Sequence, residues 1–163
     1  MKSWMSTAAV AACLVLAPVA QAQVSCADVQ RTVDSARADF EDIIGEELED
    51  FSFATTFKMP GSTACTIAVE WDSLYQCLWV HGSEAEARVT FDAVSGVVNS
   101  CLNAWKPEGV MEQLPLPDTA IAHAVRSGSG DYRDMEVLVH LNRYEEEGRL
   151  DWEVWYEVIY YLV

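Results

Sequence analysis

The sequence predicts an α+β domain: an antiparallel sheet of about six strands with two helices packed on one face, in the order helix, three strands, helix, three strands, tied by two disulfides. Three observations carry this. Two segments with apolar residues at helical spacing each open on a serine cap. Six further segments alternate apolar and polar residues with a period of two. Cys26, Cys65, Cys77 and Cys101 all fall on the apolar faces of these segments.

The first helix starts at Ser25, whose partner three residues on, Asp28, suits both a capping box and the helix dipole. Cys26, Val29, Val33, Ala36, Phe40 and Ile43 or Ile44 then form one stripe, and Gly45 is the expected C-terminal cap. After an acidic connector, Phe51, Phe53, Thr55 and Phe57 alternate as a half-buried strand would, up to the turn at Pro60-Gly61. Cys65, Ile67 and Val69 share one strand face, and Tyr75, Cys77 and Trp79 share a face of the next. Ser83 with Glu86 is an S-x-x-E box before the second stripe: Ala87, Phe91, Val94, Val98, Cys101 or Leu102, and Trp105. Lys106-Pro107 stops that helix, and residues 107–118 read as an irregular connection.

The last third reads as three strands, 120–126, 135–144 and 150–162, with turns at Ser127–Gly130 and around Glu147-Gly148. Keeping apolar residues together on one face of the last hairpin places Leu141 opposite Trp152, Val139 opposite Val154 and Val137 opposite Tyr156. The loop is then the four residues 145–148, and the other face pairs His140 with Glu153, Leu138 with Trp155 and Glu136 with Glu157.

Residues 1–22 have the charged start (Lys2), apolar run (Ala8–Ala17) and A-x-A end (Ala20–Ala22) of a secretory signal, which leaves 23–163 as one domain. The apolar run is too short to span a bilayer, so no integral membrane segment is expected after its removal. Val10–Cys13 resembles a lipobox, with cleavage after Ala22 the favoured reading. Export makes the four remaining cysteines a two-disulfide framework, periplasmic or extracellular, since their spacing contains no zinc knuckle. Three crossing strands between the helices would make the helices parallel and favour Cys26–Cys65 with Cys77–Cys101. If Phe51–Lys58 is not a crossing strand, the helices run antiparallel and Cys26–Cys101 with Cys65–Cys77 becomes natural.

Ten Lys and Arg against 26 Asp and Glu give a formal charge of -16, which excludes nucleic acid and anionic membrane surfaces as partners. No phosphate-cradling loop, EF-hand or nucleophile elbow is present, and no cofactor or metal is expected. Ser127–Gly130 sits between two strands and reads as a turn; His81 reads as a loop residue and His123 as a core histidine. His140 beside Glu153 has the ingredients of a base and its orienting carboxylate, yet a cross-strand pair on a wet face accounts for both.

The final strand is the least ordinary feature. Trp152, Val154, Tyr156, Val158 and Tyr160 take the core face, which turns Glu153, Trp155, Glu157, Ile159 and Tyr161 to the other side with Leu138 and His140. An aromatic patch edged with acids in a two-layer protein is the pattern of a surface that binds another protein, here a basic one. The reading is therefore an exported, non-enzymatic acidic recognition protein, inhibitor- or immunity-like. A small enzyme or carrier with a pocket between helices and sheet is the first alternative. A self-associating envelope component, or a face simply covered by the 107–118 connection, completes the set.

Overall fold

In the computed structural model, which describes residues 23–105, 112–113, 119–126, 135–146 and 148–161, one antiparallel sheet carries both helices on a single face. The chain runs α1 (Cys26–Ala36), β1 (Ile44–Glu49), β2 (Ser52–Thr55), β3 (Ala64–Val69), β4 (Asp72–His81), α2 (Glu84–Cys101), a 3₁₀ turn (Asn103–Trp105), β5 (Glu112–Gln113), β6 (Thr119–Arg126), β7 (Met135–Glu146) and β8 (Arg149–Tyr161). Spatial order across the sheet is β1-β2-β3-β4-β8-β7-β6-β5. The six expected strands are all present, and β1 and β5 add one short strand at each edge.

Serine capping starts both helices. At α1 the Ser25 hydroxyl receives the Asp28 amide while the Asp28 carboxylate receives the Ser25 amide at 2.8 Å. At α2 the Ser83 hydroxyl receives the Glu86 amide and donates to Oε2 of the same residue. The first helix ends at Ala36, well before Gly45. Asp39 (φ 49°) and Phe40 (φ 60°) reverse the chain there, and the Asp39 carboxylate accepts from Ser73 Oγ at 2.9 Å. The reversal still buries Phe40 and Ile43 completely, so they keep their place in the core without being helical. Gly45 is no cap: a Cβ on it would lie 2.9 Å from the Ala54 carbonyl oxygen, and its role is to let β1 approach β2.

Strand β1 also corrects the disulfide pairing. Four strands, not three, lie between the helices, so the chain reverses five times, an odd number, which makes α2 antiparallel to α1 and brings the start of one to the end of the other. The bridges are Cys26–Cys101, with Cα atoms 5.4 Å apart, and Cys65–Cys77, which face each other across β3 and β4. The favoured pairing of Cys26 with Cys65 and Cys77 with Cys101 is therefore replaced by its alternative, although Phe53 does lie in a strand.

The last hairpin is slipped by two residues from the expected register. Leu141 faces Val154, Val139 faces Tyr156 and Val137 faces Val158, because the pairing continues to Glu146 opposite Arg149, with Gly148 at φ 79° just before β8. Two-residue loops with a left-handed glycine match strand twist better than longer ones. An even slip preserves the faces, so Val137, Val139, Leu141, Val154, Tyr156 and Val158 all reach the core as expected. Between sheet and helices these residues meet Val29, Val33, Phe91, Val94 and Val98 in one continuous cluster. Tyr156, fully buried, shares a 2.7 Å hydrogen bond with Thr32 of α1, and burial pushes its phenol pKa well up.

The segments expected to be a secretory signal (1–22), a turn (127–130) and an irregular connection (107–118, apart from Glu112–Gln113), and the His123 side chain, lie outside the described residues. Among the described residues no helix is long and apolar enough to cross a membrane.

Candidate recognition surface

The sheet face turned away from the helices is laid out by strand parity. On β8 it carries Glu153, Trp155, Glu157, Ile159 and Tyr161, and on β7 Glu136, Leu138, His140 and Asn142. On β4 it carries Leu74, Gln76, Leu78 and Val80, which face Ile159, Glu157, Trp155 and Glu153 in turn. All seven residues singled out from the sequence (Leu138, His140, Glu153, Trp155, Glu157, Ile159 and Tyr161) thus share this face.

The slipped register changes their partners. His140 lies opposite Trp155, not Glu153, and the two rings stack at 6.1 Å with 15° between planes. Its Nε2 is 3.5 Å from Glu157 Oε2 and its Nδ1 is 3.3 Å from Asn142 Oδ1. Trp155 Nε1 donates to Glu153 Oε2 at 3.0 Å, and Tyr161 donates to Glu136 Oε2 at 2.8 Å. The face is therefore graded: Glu136 and Leu138 are buried, Trp155, Glu157 and Ile159 are half-buried, and Val80 and Tyr161 are 40 % exposed. Leu138 packs the middle of the face and contributes shape more than accessible area.

Chemically this is a patch of carboxylates held in place by indole and phenol donors and backed by apolar side chains. On β7 and β8 Arg143 pairs with Glu145 at 3.8 Å and Arg149 with Asp151 at 2.7 Å, both towards the hairpin end, and Arg126 of β6 lies opposite Glu136 in the register. His140 with Glu157 has the pieces of a proton relay, and its described polar neighbours are an amide, an indole and a carboxylate, with no hydroxyl or thiol among them. Among the described residues no cluster of three or more His, Cys, Asp or Glu is arranged to hold a metal ion.

Sequence reasoning missed the contribution of β4. The signal was there: Leu74, Leu78 and Val80 interleave with Tyr75, Cys77 and Trp79, so both sides of this strand are apolar. His81 closes β4, opposite Trp152, where burial lowers its pKa and nearby Glu86 partly opposes the shift. Between helices and sheet the described residues pack as one buried hydrophobic cluster. A shallow depression does run along the solvent side of α1, over Ala27, Arg31, Asp34 and Asp42, with the Ser35 hydroxyl donating to Asp42. Comparison with protein-family models, with curated proteins and with solved structures finds no match.

Proposed function

We propose that this protein is an exported, non-catalytic recognition protein that holds a basic protein partner against the helix-free sheet face. The observation that carries this reading is the pairing on one face of three carboxylates, Glu136, Glu153 and Glu157, with Trp155, Ile159 and Tyr161. A buried aromatic core with a charged rim is how a protein interface is built, and a strong charge of one sign speeds the encounter with its opposite. Two structural disulfides and a chain charge of -16 suit a small stable domain that meets its target outside the cytoplasm. The one buried hydrophobic cluster between the layers, among the described residues, supports surface recognition over a pocket-based carrier or enzyme.

Affinity capture from native extract with the disulfide-bonded protein, run beside Trp155→Ala and the double charge reversal Glu153→Lys with Glu157→Lys, tests this. The expected outcome is a basic protein retained by the parent chain, reduced about tenfold or more by either variant, as for truncation of an interface hot spot. Retention indifferent to both variants would show that the face is not the binding site.

A further inference from the structure

A different part of the molecule carries exposed aromatic residues that the sheet face does not explain. Hairpin β1–β2 turns on two residues, Asp50 and Phe51, between the paired Glu49 and Ser52. Hairpin β3–β4 turns at Glu70 and Trp71, where the Glu70 amide donates to the Asp72 carbonyl. Both turns lie at the same end of the sheet. The Phe51 carbonyl accepts from the Val69 amide at 2.9 Å, and Trp71 is only two residues further on. With strands ~5 Å apart and at most ~3.6 Å per residue, the two Cα atoms lie within roughly 12 Å.

Trp71 is 82 % exposed and Phe51 58 %, with Leu48 beside them at 55 %. The backbone at Phe51 sharpens the point. Among the described residues three that are not glycine have left-handed φ: Asp39, Phe40 and Phe51. Phe40 is fully buried and Asp39 accepts a side-chain hydrogen bond, so tertiary contacts offset their strain. Phe51 holds φ 63° while presenting most of its ring to water. Strain kept at an exposed aromatic points to a role outside the fold itself.

Charge selects the occupant. Glu49, Asp50, Glu70 and Asp72 are all exposed around the two rings. Such a border repels an anionic lipid headgroup layer and attracts Lys and Arg, while the rings need apolar groups to cover them. We infer that the tips of the β1–β2 and β3–β4 hairpins form a second docking site, anchored by Trp71 and Phe51, for an extended basic and apolar segment of a partner protein. Asp72 faces Tyr161 across β4 and β8, so this site adjoins the sheet face at one corner. It goes beyond the sheet-face reading and stands if that reading fails.

A random displayed peptide library, panned on the disulfide-bonded protein, is the test, with Trp71→Ala and Phe51→Asn as tip variants and Trp155→Ala as the sheet-face control. Enriched peptides are expected to carry net positive charge with interspersed apolar residues. A synthetic copy should shift the amide resonances of residues 48–51 and 70–72. Trp71→Ala should weaken it about 30-fold, as a tryptophan hot spot does, with Trp155→Ala close to the parent. Asparagine tolerates the left-handed backbone, so Phe51→Asn should raise the unfolding midpoint by roughly 2–4 °C while also weakening the peptide, separating docking from folding. Peptides that are neutral or acidic, binding unmoved by the tip variants, no tip-dependent peptide at all, or Trp71-dependent binding to phosphatidylglycerol vesicles instead would each overturn the inference. Binding lost only in Trp155→Ala would overturn it in favour of the sheet face.

Discussion

His81 shows how one side chain reports its surroundings. It closes β4 opposite Trp152, next to the Gly82-Ser83 start of α2, and its Nε2 is shielded from water. Desolvation lowers its pKa, and the Glu86 carboxylate opposes without cancelling that effect. Its folded pKa is thus below the ordinary value of about 6.5 that applies in the unfolded chain. As pH falls through that ordinary value the unfolded state takes up a proton first. Stability from this group is whole above about pH 6.5, declines below it, and levels off once the folded pKa is passed. A two-dimensional NMR titration should find His81 titrating below 6.5, and His81→Gln should flatten the stability profile just below about pH 6.5. A His81 midpoint above 6.5 would contradict the burial argument. Nothing in the letters around it showed this: a histidine before Gly-Ser reads as a loop, and only the length of β4 places it in the sheet. Gly45 was misleading in the same way, since a glycine after a helical stripe reads as a cap whether its need is a left-handed φ or room for the Ala54 carbonyl.

At the scale of elements, the apolar patterns were legible and the acidic ones were not. The six patterned strands, both serine caps and both faces of β8 follow from residue periodicity, because burial acts on side chains. Ile44–Glu49 (IGEELE) carries no alternation, being an edge strand whose acidic side chains stay in water, and it escapes any reading based on period. That one strand reversed the inferred helix direction and with it the disulfides, although the parity rule itself was sound. The register of the last hairpin failed more gently, since apolar matching cannot tell one even slip from another. Turn length decides between them, and the slip redirected His140 from Glu153 to Trp155 and Glu157. The disulfides now make unequal predictions. Cys26–Cys101 closes 75 residues and Cys65–Cys77 only 12. In the chain-entropy account, loops of these sizes correspond to about 4.5 and 3 kcal/mol. Denaturant unfolding of Cys26→Ser with Cys101→Ser should therefore show the larger loss, provided Cys77, fully buried in the sheet core, is replaced by alanine in the second pair, Cys65→Ala with Cys77→Ala. Equal losses would show that native packing, not loop length, sets the contribution.

For the whole molecule the governing quantity is charge. With 26 acids against ten bases, the described ion pairs of Arg88 with Glu84, Arg143 with Glu145 and Arg149 with Asp151 neutralise little of the total. Exposed pairs of this kind are worth ~0–1 kcal/mol, so mutual repulsion among the remaining carboxylates outweighs them. Screening length falls from about 30 Å at 0.01 M salt, comparable to the molecule, to about 8 Å at 0.15 M. Over that range the unfolding midpoint should rise, because salt relieves repulsion that unfolding would otherwise relieve. Partner binding should weaken over the same range, because the same salt screens attraction between an acidic surface and a basic one. Apolar contacts at Trp71 and Trp155 respond to neither change, so the ratio of affinities at the two salts measures how much of recognition is electrostatic. Affinity independent of salt beside a rising midpoint would leave the aromatic residues as the sole anchors and remove the basic partner from both proposed sites. A falling midpoint would mean that the ion pairs, not the repulsion, dominate the fold.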